Sequence, residues 1–204
     1  MRSSAPLPME IHRSAQYGKL QKVVKWLRKG GSVDALCPTL ARDGRSTTSA
    51  LLHAAATQDH LEMVKELLKR GASVDLRQGL GCTALMVAVG YGHFSIVLVL
   101  LQHSADPDLQ SSDRGGTALM SAAQQGHVAC ARALLRAKAN TELLDEAGNT
   151  ALQHAEIQGH TATAELIRHH AAPPQPATAS PAAPPDSPAP LPIEIHRSAQ
   201  RGEL

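Results

Sequence analysis

Apolar positions in this chain fall in short paired stripes. The run TALMVAVGYGH (83–93) is mostly apolar and ends in Gly-His. The run FSIVLVLL (94–101) follows at helical spacing, and a break then leads to Asp108. The same order returns on both sides. Aligning Leu52 with Leu85, Leu119 and Leu152 gives successive shifts of 33, 34 and 33 residues, a period that marks stacked copies of one supersecondary unit. Thr83, Thr117 and Thr150 each stand before an apolar run, where a hydroxyl accepts from the free amides of a first helical turn, and Gln153 after Thr150 adds a capping box. Gly92, Gly126 and Gly159 supply a left-handed residue that ends the helix. In the second copy Leu61, Val64, Leu67 and Leu68 then restart helical spacing. Each unit reads as a hairpin of two short helices, marginal alone and stabilised by stacking copy on copy.

Ile11 aligns with Leu119 and brings Ala15 and Gly18 into register, so a first copy lies near the N-terminus. Its second helix places Leu20, Val23, Val24 and Leu27 on one stripe, with Trp26 beside them. Before the next copy the leucine spacing jumps to 41, which predicts an inserted loop over 36–49, rich in Pro, Gly, Ser and Thr. It reads as a tolerated surface insertion, or as a recognition loop. The copies are placed at about 9–35, 47–78, 80–112, 114–146 and 147–170, after a flexible lead over 1–8.

The segments LLHAAATQDH (51–60), TALMVAVGYGH (83–93), TALMSAAQQGH (117–127) and TALQHAEIQGH (150–160), with the endings ELLKRGASVD and VLLQHSADPD, resemble the ankyrin-repeat family. The resemblance covers about residues 9–170. It implies an all-α solenoid of about five helix-turn-helix repeats whose loops project from one edge, and a role in binding other macromolecules. Asp59 replaces the inter-helix glycine, Ala replaces the usual proline after Thr, and Ser104 and Lys138 replace the second glycine. The first departure is mild, because Asp tolerates a left-handed conformation better than most residues.

Composition narrows the rest. Apolar residues make up 43% of the 204 and aromatics only 2%, so the core is built from Leu, Val and Ala. No run of 18 apolar residues exists, and the N-terminus lacks a charged-then-apolar signal pattern, which argues against a membrane span and against secretion. Cys37, Cys82 and Cys130 form no metal or redox motif. The expectation is an intracellular protein, cytoplasmic with the nucleus left open. Residues 1–36 carry seven Lys or Arg against two acids, yet the whole chain is only +2. Lys19, Lys22, Lys25, Arg28 and Lys29 therefore read as the solvated outer face of an end repeat, and the small total charge disfavours nucleic acid as partner.

Candidate chemistry is sparse. His60, His93, His127 and His160 share one slot in successive copies, which predicts a hydrogen bond within each inter-helix turn rather than a metal site. His53 has the same structural reading. Glu165 and His169 share a helix face without a third ligand. No phosphate loop, nucleophile elbow or Cys/His pairing appears, so no catalytic, cofactor or metal residues are assigned. Glu156 stands where small residues pack between earlier copies and needs water, so the array should close near residue 170. Leu98 and Val99 replace Lys65 and Glu66 of the preceding copy. They are either covered by a neighbouring helix or form an apolar patch, which would allow weak self-association of an otherwise monomeric chain.

Residues 171–192 hold nine of the thirteen prolines and predict a disordered Pro/Ala-rich linker. LPMEIHRSAQYGKL (7–20) and LPIEIHRSAQRGEL (191–204) then agree at eleven of fourteen positions, so 193–204 reads as the truncated start of a second ankyrin-like copy.

The reading is a protein-interaction scaffold or adaptor, not an enzyme, with an unidentified protein partner. A regulatory or targeting arm of a larger enzyme is the alternative. In the geometry that the resemblance implies, loop tips and the free faces of first helices line a concave surface. The positions that vary there are Thr57, Gln58, Arg77, Gln78, Leu80, Tyr91, Arg114, Gln124, Gln125, Ile157 and Gln158. Tyr91 leads this set as one of only four aromatics.

Overall fold

In a computed structural model the described residues are 6–40 and 46–171. Of the linker expected over 171–192, residue 171 instead ends a helix; residues 172–192 and the second copy at 193–204 lie outside the described residues, as does the start of the lead. The described residues fold as five helix pairs in chain order. These are α1 (Met9–Gln16) with α2 (Leu20–Arg28), α3 (Leu51–Thr57) with α4 (Leu61–Lys69), and α5 (Ala84–Gly90) with α6 (Phe94–Gln102). The array continues with α7 (Ala118–Gln125) and α8 (Val128–Arg136), then α9 (Ala151–Ile157) and α10 (Thr161–Ala171). First helices stack on first helices from α1 to α9, and α4, α6, α8 and α10 stack behind them.

The caps are those read from the threonines. The Oγ1 atoms of Thr83, Thr117 and Thr150 accept from the backbone N–H of Met86, Met120 and Gln153 at 3.3, 3.2 and 3.3 Å. The Gln153 side chain returns to the Thr150 N–H at 2.8 Å, which completes the capping box. Asp59 holds φ +56° in the slot where Gly92 and Gly126 hold +75° and +70°, as its tolerance of the left-handed region allows.

Leu67, Leu85, Leu100, Leu119, Leu134 and Ile167 are fully buried between the two layers, and Ala55, Ala88, Ala122 and Ala155 let adjacent first helices approach closely. Two ladders fix the register of one pair on the next. Asp75 accepts the Asp106 N–H at 3.1 Å and Asp108 accepts the Asn140 N–H at 2.8 Å, while Asp34 accepts the Ser73 N–H at 2.9 Å. In the first three repeats the closing aspartate therefore holds the start of the next loop.

The second ladder corrects the histidine expectation. His60, His93 and His160 do not bond within their own turns. Their Nε2–H groups donate to carbonyls of the preceding pair, Gln16 at 2.7 Å, Thr57 at 3.2 Å and Gln124 at 3.2 Å. The ring lies against the preceding glycine, so a Cβ on Gly126 would stand 2.6 Å from the His160 ring and one on Gly92 would stand 2.8 Å from the His127 ring.

A second correction concerns the inserted segment, which adds a small two-stranded sheet to the mostly helical array. Leu36–Leu40 (β1) and Ser46–Ala50 (β2) pair antiparallel, Leu36 opposite Ala50 and Thr39 opposite Thr47. The stack supplies what a short hairpin lacks alone. The Leu7 N–H donates to the Leu36 carbonyl at 3.0 Å, the Gly79 N–H to the Thr48 carbonyl at 3.1 Å, and Cys37 is buried.

On the outer side Leu98 is 38% exposed, whereas Val99 is half-buried against the core, so the apolar patch includes the first and not the second. Lys22 pairs with Glu10 on the face of the first pair. Glu156 is exposed and meets Arg168 at 2.7 Å. No helix among the described residues is long and apolar enough to cross a membrane.

Candidate functional site

The loops that follow each second helix turn back as fingers toward the next first helix. Successive fingers are joined by backbone bonds: the Ser112 N–H to the Leu80 carbonyl at 3.1 Å, and the Glu146 N–H to the Arg114 carbonyl at 3.0 Å. The Arg77 guanidinium donates to the Gln110 carbonyl at 2.9 Å, and the Gln110 side-chain amide donates to the carbonyls of Gly115 and Leu144 at 2.8 and 2.7 Å. A row of fingers joined this way is pre-organised for a partner, because little loop entropy remains to be lost on binding.

Between the last two fingers and the faces of α7 and α9 lies a recess of ≈630 Å³. Its floor includes Met120 and Cys82. Around it stand Ser121 and Gln124 from α7, Asp113 and Arg114 from one finger, Asp145, Glu146 and Asn149 from the next, and His154 from α9. Asp145 organises this end. Its Oδ1 accepts the N–H groups of Asn149 and Ala147 at 2.8 and 3.0 Å, and its Oδ2 accepts the His154 Nε2–H at 2.8 Å. The Asn149 amide and then the His154 ring hold the carboxyl below the usual carboxylate range. His154 is thereby fixed in tautomer and orientation. Burial, with Asp113 nearby, pushes the Cys82 thiol up, so it stays protonated and is a poor nucleophile.

The recess thus offers a guanidinium, two exposed carboxylates, amides and a hydroxyl over an apolar floor. That inventory suits recognition of a peptide segment by several polar contacts at once. Among the described residues no three His, Cys, Asp or Glu groups are placed to hold a metal.

Of the residues read from the sequence, the recess brings together Arg114 and Gln124. Gln125, Ile157 and Gln158 are exposed near the ends of α7 and α9, and Gln58 at the end of α3. Tyr91 is 45% exposed and stacks on His93, with ring centroids 5.8 Å apart and planes 11° apart. Two are engaged by the scaffold through their side chains and two through their backbone. The Thr57 hydroxyl donates to the His53 carbonyl at 2.8 Å, Arg77 is spent on Gln110, the Gln78 N–H donates to the Cys82 carbonyl at 3.0 Å, and Leu80 holds Ser112. Sequence reasoning missed Ser121, Asp113, Asp145, Glu146, Asn149 and His154. One signal was available: Val87, Ser121 and His154 occupy the same slot, four after the capping threonine, and all differ.

A family model described as ankyrin repeats (3 copies) matches residues 11–111 and 103–176. The chain belongs to the ankyrin-repeat family. Ankyrin repeats are protein-interaction modules, and protein binding is their general role. Among curated relatives, a probable E3 ubiquitin-protein ligase, XBOS33, of Oryza sativa subsp. japonica is 37% identical over 123 residues, 56% of this chain and 23% of the relative. The palmitoyltransferase ZDHHC13 of Mus musculus is 35% identical over 101 residues, 49% of this chain and 15% of the relative. The ankyrin repeat and KH domain-containing protein mask-1 of Caenorhabditis elegans is 37% identical over 87 residues, 39% of this chain and 3% of the relative. This ankyrin chain therefore spans less than a quarter of the length of each.

Proposed function

We propose that this chain is a scaffold or adaptor module that holds a protein partner through its finger loops and first-helix faces, with the recess between the last two fingers as the centre of the contact. One observation supports this above the others. The packing positions repeat, with Leu85, Leu119 and Leu152 in one slot and Ala88, Ala122 and Ala155 in another, whereas Ser121, Gln124, Arg114 and His154 at the recess differ from their counterparts in the neighbouring repeats. Binding energy is then concentrated in Tyr91, Arg114 and His154, with Gln58, Gln124, Gln125, Ile157 and Gln158 as the surrounding contacts. Arg77, Gln78 and Leu80 act through the shape of the fingers, and Thr57 through the end of α3. The free thiols of Cys37, Cys82 and Cys130 are in keeping with a reducing, intracellular setting.

The test is affinity purification with the full chain as bait, followed by quantitative binding of the partner recovered. Tyr91→Ala with Arg114→Ala should weaken binding at least tenfold, roughly 1.4 kcal/mol, with an unchanged melting temperature. Unchanged affinity in a folded double variant removes the recess as the site.

A second reading is favoured by the comparisons, since a ligase and a transferase each contain a segment like this one within a much longer chain. In that reading the array is the targeting or regulatory arm of a larger enzyme. A longer open reading frame encoding a catalytic domain would decide for it, and the recess would then be the docking point for the enzyme's substrate or regulator.

A further inference from the structure

The outer side of the array holds a second, chemically different surface. Between α6 and α8 runs a groove of ≈390 Å³. One wall is the stripe Phe94, Leu98 and Leu101, spaced at i, i+4 and i+7, with Phe94 41% and Leu98 38% exposed. Opposite stand Ala129, Ala133 and Ala137, one methyl per helical turn. A row of small residues every fourth position is the kind of groove into which the i, i+4 ridge of another helix packs. The α6 helix, FSIVLVLLQ, contains no charge at all.

Charge decides what fits. Arg132 and Arg136 stand on the groove from α8, and neither forms an ion pair with another described residue. On the other flank of α6, exposed Lys69 of α4 is likewise unpaired among the described residues, while Lys65 is neutralised by Glu62 at 2.8 Å. An apolar stripe bordered by two unpaired arginines matches a helix that presents apolar residues at i, i+4 and i+7 and carboxylates beside them. A second copy docking through the same face would set this basic, apolar patch against the same basic patch with no carboxylate on either side, because a two-fold interface uses one surface of both copies. An anionic bilayer would satisfy the charges, but a flat surface leaves the alanine floor unfilled. We propose that the α6–α8 groove is a docking site for an acidic amphipathic helix of a partner protein, independent of the recess on the finger side.

The test uses the full chain and two synthetic helix-stabilised 14-residue peptides with Leu at i, i+4, i+7 and i+11, one with Glu and one with Lys at the flanking positions. In fluorescence anisotropy the Glu peptide is expected to bind at least tenfold more tightly than its Lys twin. Leu98→Lys, which restores the residue type at the aligned position of α4, should abolish binding. Arg132→Glu with Arg136→Glu should reverse the preference between the peptides, a result that loss of folding cannot mimic. Equal affinities, absence of binding, or a preference indifferent to the charge reversal would overturn the proposal. Binding to phosphatidylserine vesicles without binding to the Glu peptide would overturn it in favour of a membrane surface. A concentration-dependent dimer in sedimentation, dissolved by Leu98→Lys, would overturn it in favour of a second copy.

Discussion

His53 makes the stability of the array depend on pH in a calculable way. The side chain is 1% exposed. Its Nε2–H donates to the Cys82 carbonyl at 3.1 Å, and its Nδ1 has no partner. Protonation would place a new N–H donor and a full charge in that dry slot, so burial lowers the pKa from 6.5 to about 4. In the unfolded chain the ring takes its proton near pH 6.5, so the unfolded state binds more protons throughout the window between about 6.5 and 4. Stability is therefore full above pH 6.5, falls as the pH drops through the window, and levels off near 4. At 1.36 kcal/mol per unit the loss attributable to His53 is about 3 kcal/mol. His12, also lowered by burial and without a partner at either ring nitrogen, contributes in the same direction.

The perturbation that isolates His53 is His53→Met, because Met86 and Met120 occupy the same slot in the next two repeats. At pH 7 the variant should lose about 1 kcal/mol with the hydrogen bond to Cys82. Urea unfolding followed by circular dichroism at pH 7.0, 6.0, 5.0 and 4.2 compares the two. The decline from pH 7.0 to 4.2 should be shallower in His53→Met by about 2–3 kcal/mol, with His12 and, at the acid end, the lowered Asp145 carboxyl supplying what remains. Parallel declines in the two proteins would refute the assignment of the pH dependence to the buried ring.

Gly126→Ala should cost about 2 kcal/mol, because it forces a side chain to φ +70° and drives a Cβ to 2.6 Å from the His160 ring. Gly159→Ala, at φ +72° with nothing within 4 Å, should cost about half as much, since only the backbone term remains; chemical denaturation of both reads the difference, and equal losses would deny the histidine ladder its packing role. Leu134→Ala removes a fully buried side chain between α8 and its neighbours and should cost about 2–5 kcal/mol, with a destabilisation below 1 kcal/mol arguing that the stack repacks around the cavity.

Much of the array is legible in the sequence because each repeat states its own helix boundaries locally. A threonine, a left-handed residue and a four-residue apolar rhythm are enough to place α5 through α10. The hairpin is different. LCPTL and STTSA carry a proline and several turn-forming neighbours, and their strand conformation is decided by partners far away in sequence, Leu7 and Gly79. The histidine slot shows the same limit, since the repetition identifies a structural role but not that the acceptor belongs to the preceding repeat. For the site, sequence variation at the ends of first helices was readable, and Arg114 and Gln124 do line the recess. The Asp145–His154 pair was not readable, because nine residues separate its members and only the bend of the finger brings the carboxylate over the first turn of α9. His154 and Asp145 look like unrelated polar positions until that bend is known.

The central claim, that the finger side of the array holds the partner, is tested most directly by hydrogen–deuterium exchange of the full chain with and without the protein recovered by affinity purification. Slowed exchange is expected in segments covering 111–125 and 145–158, the two fingers and the helices beneath them. Protection confined to the outer helices, with those segments exchanging as fast as in the free chain, would contradict the account.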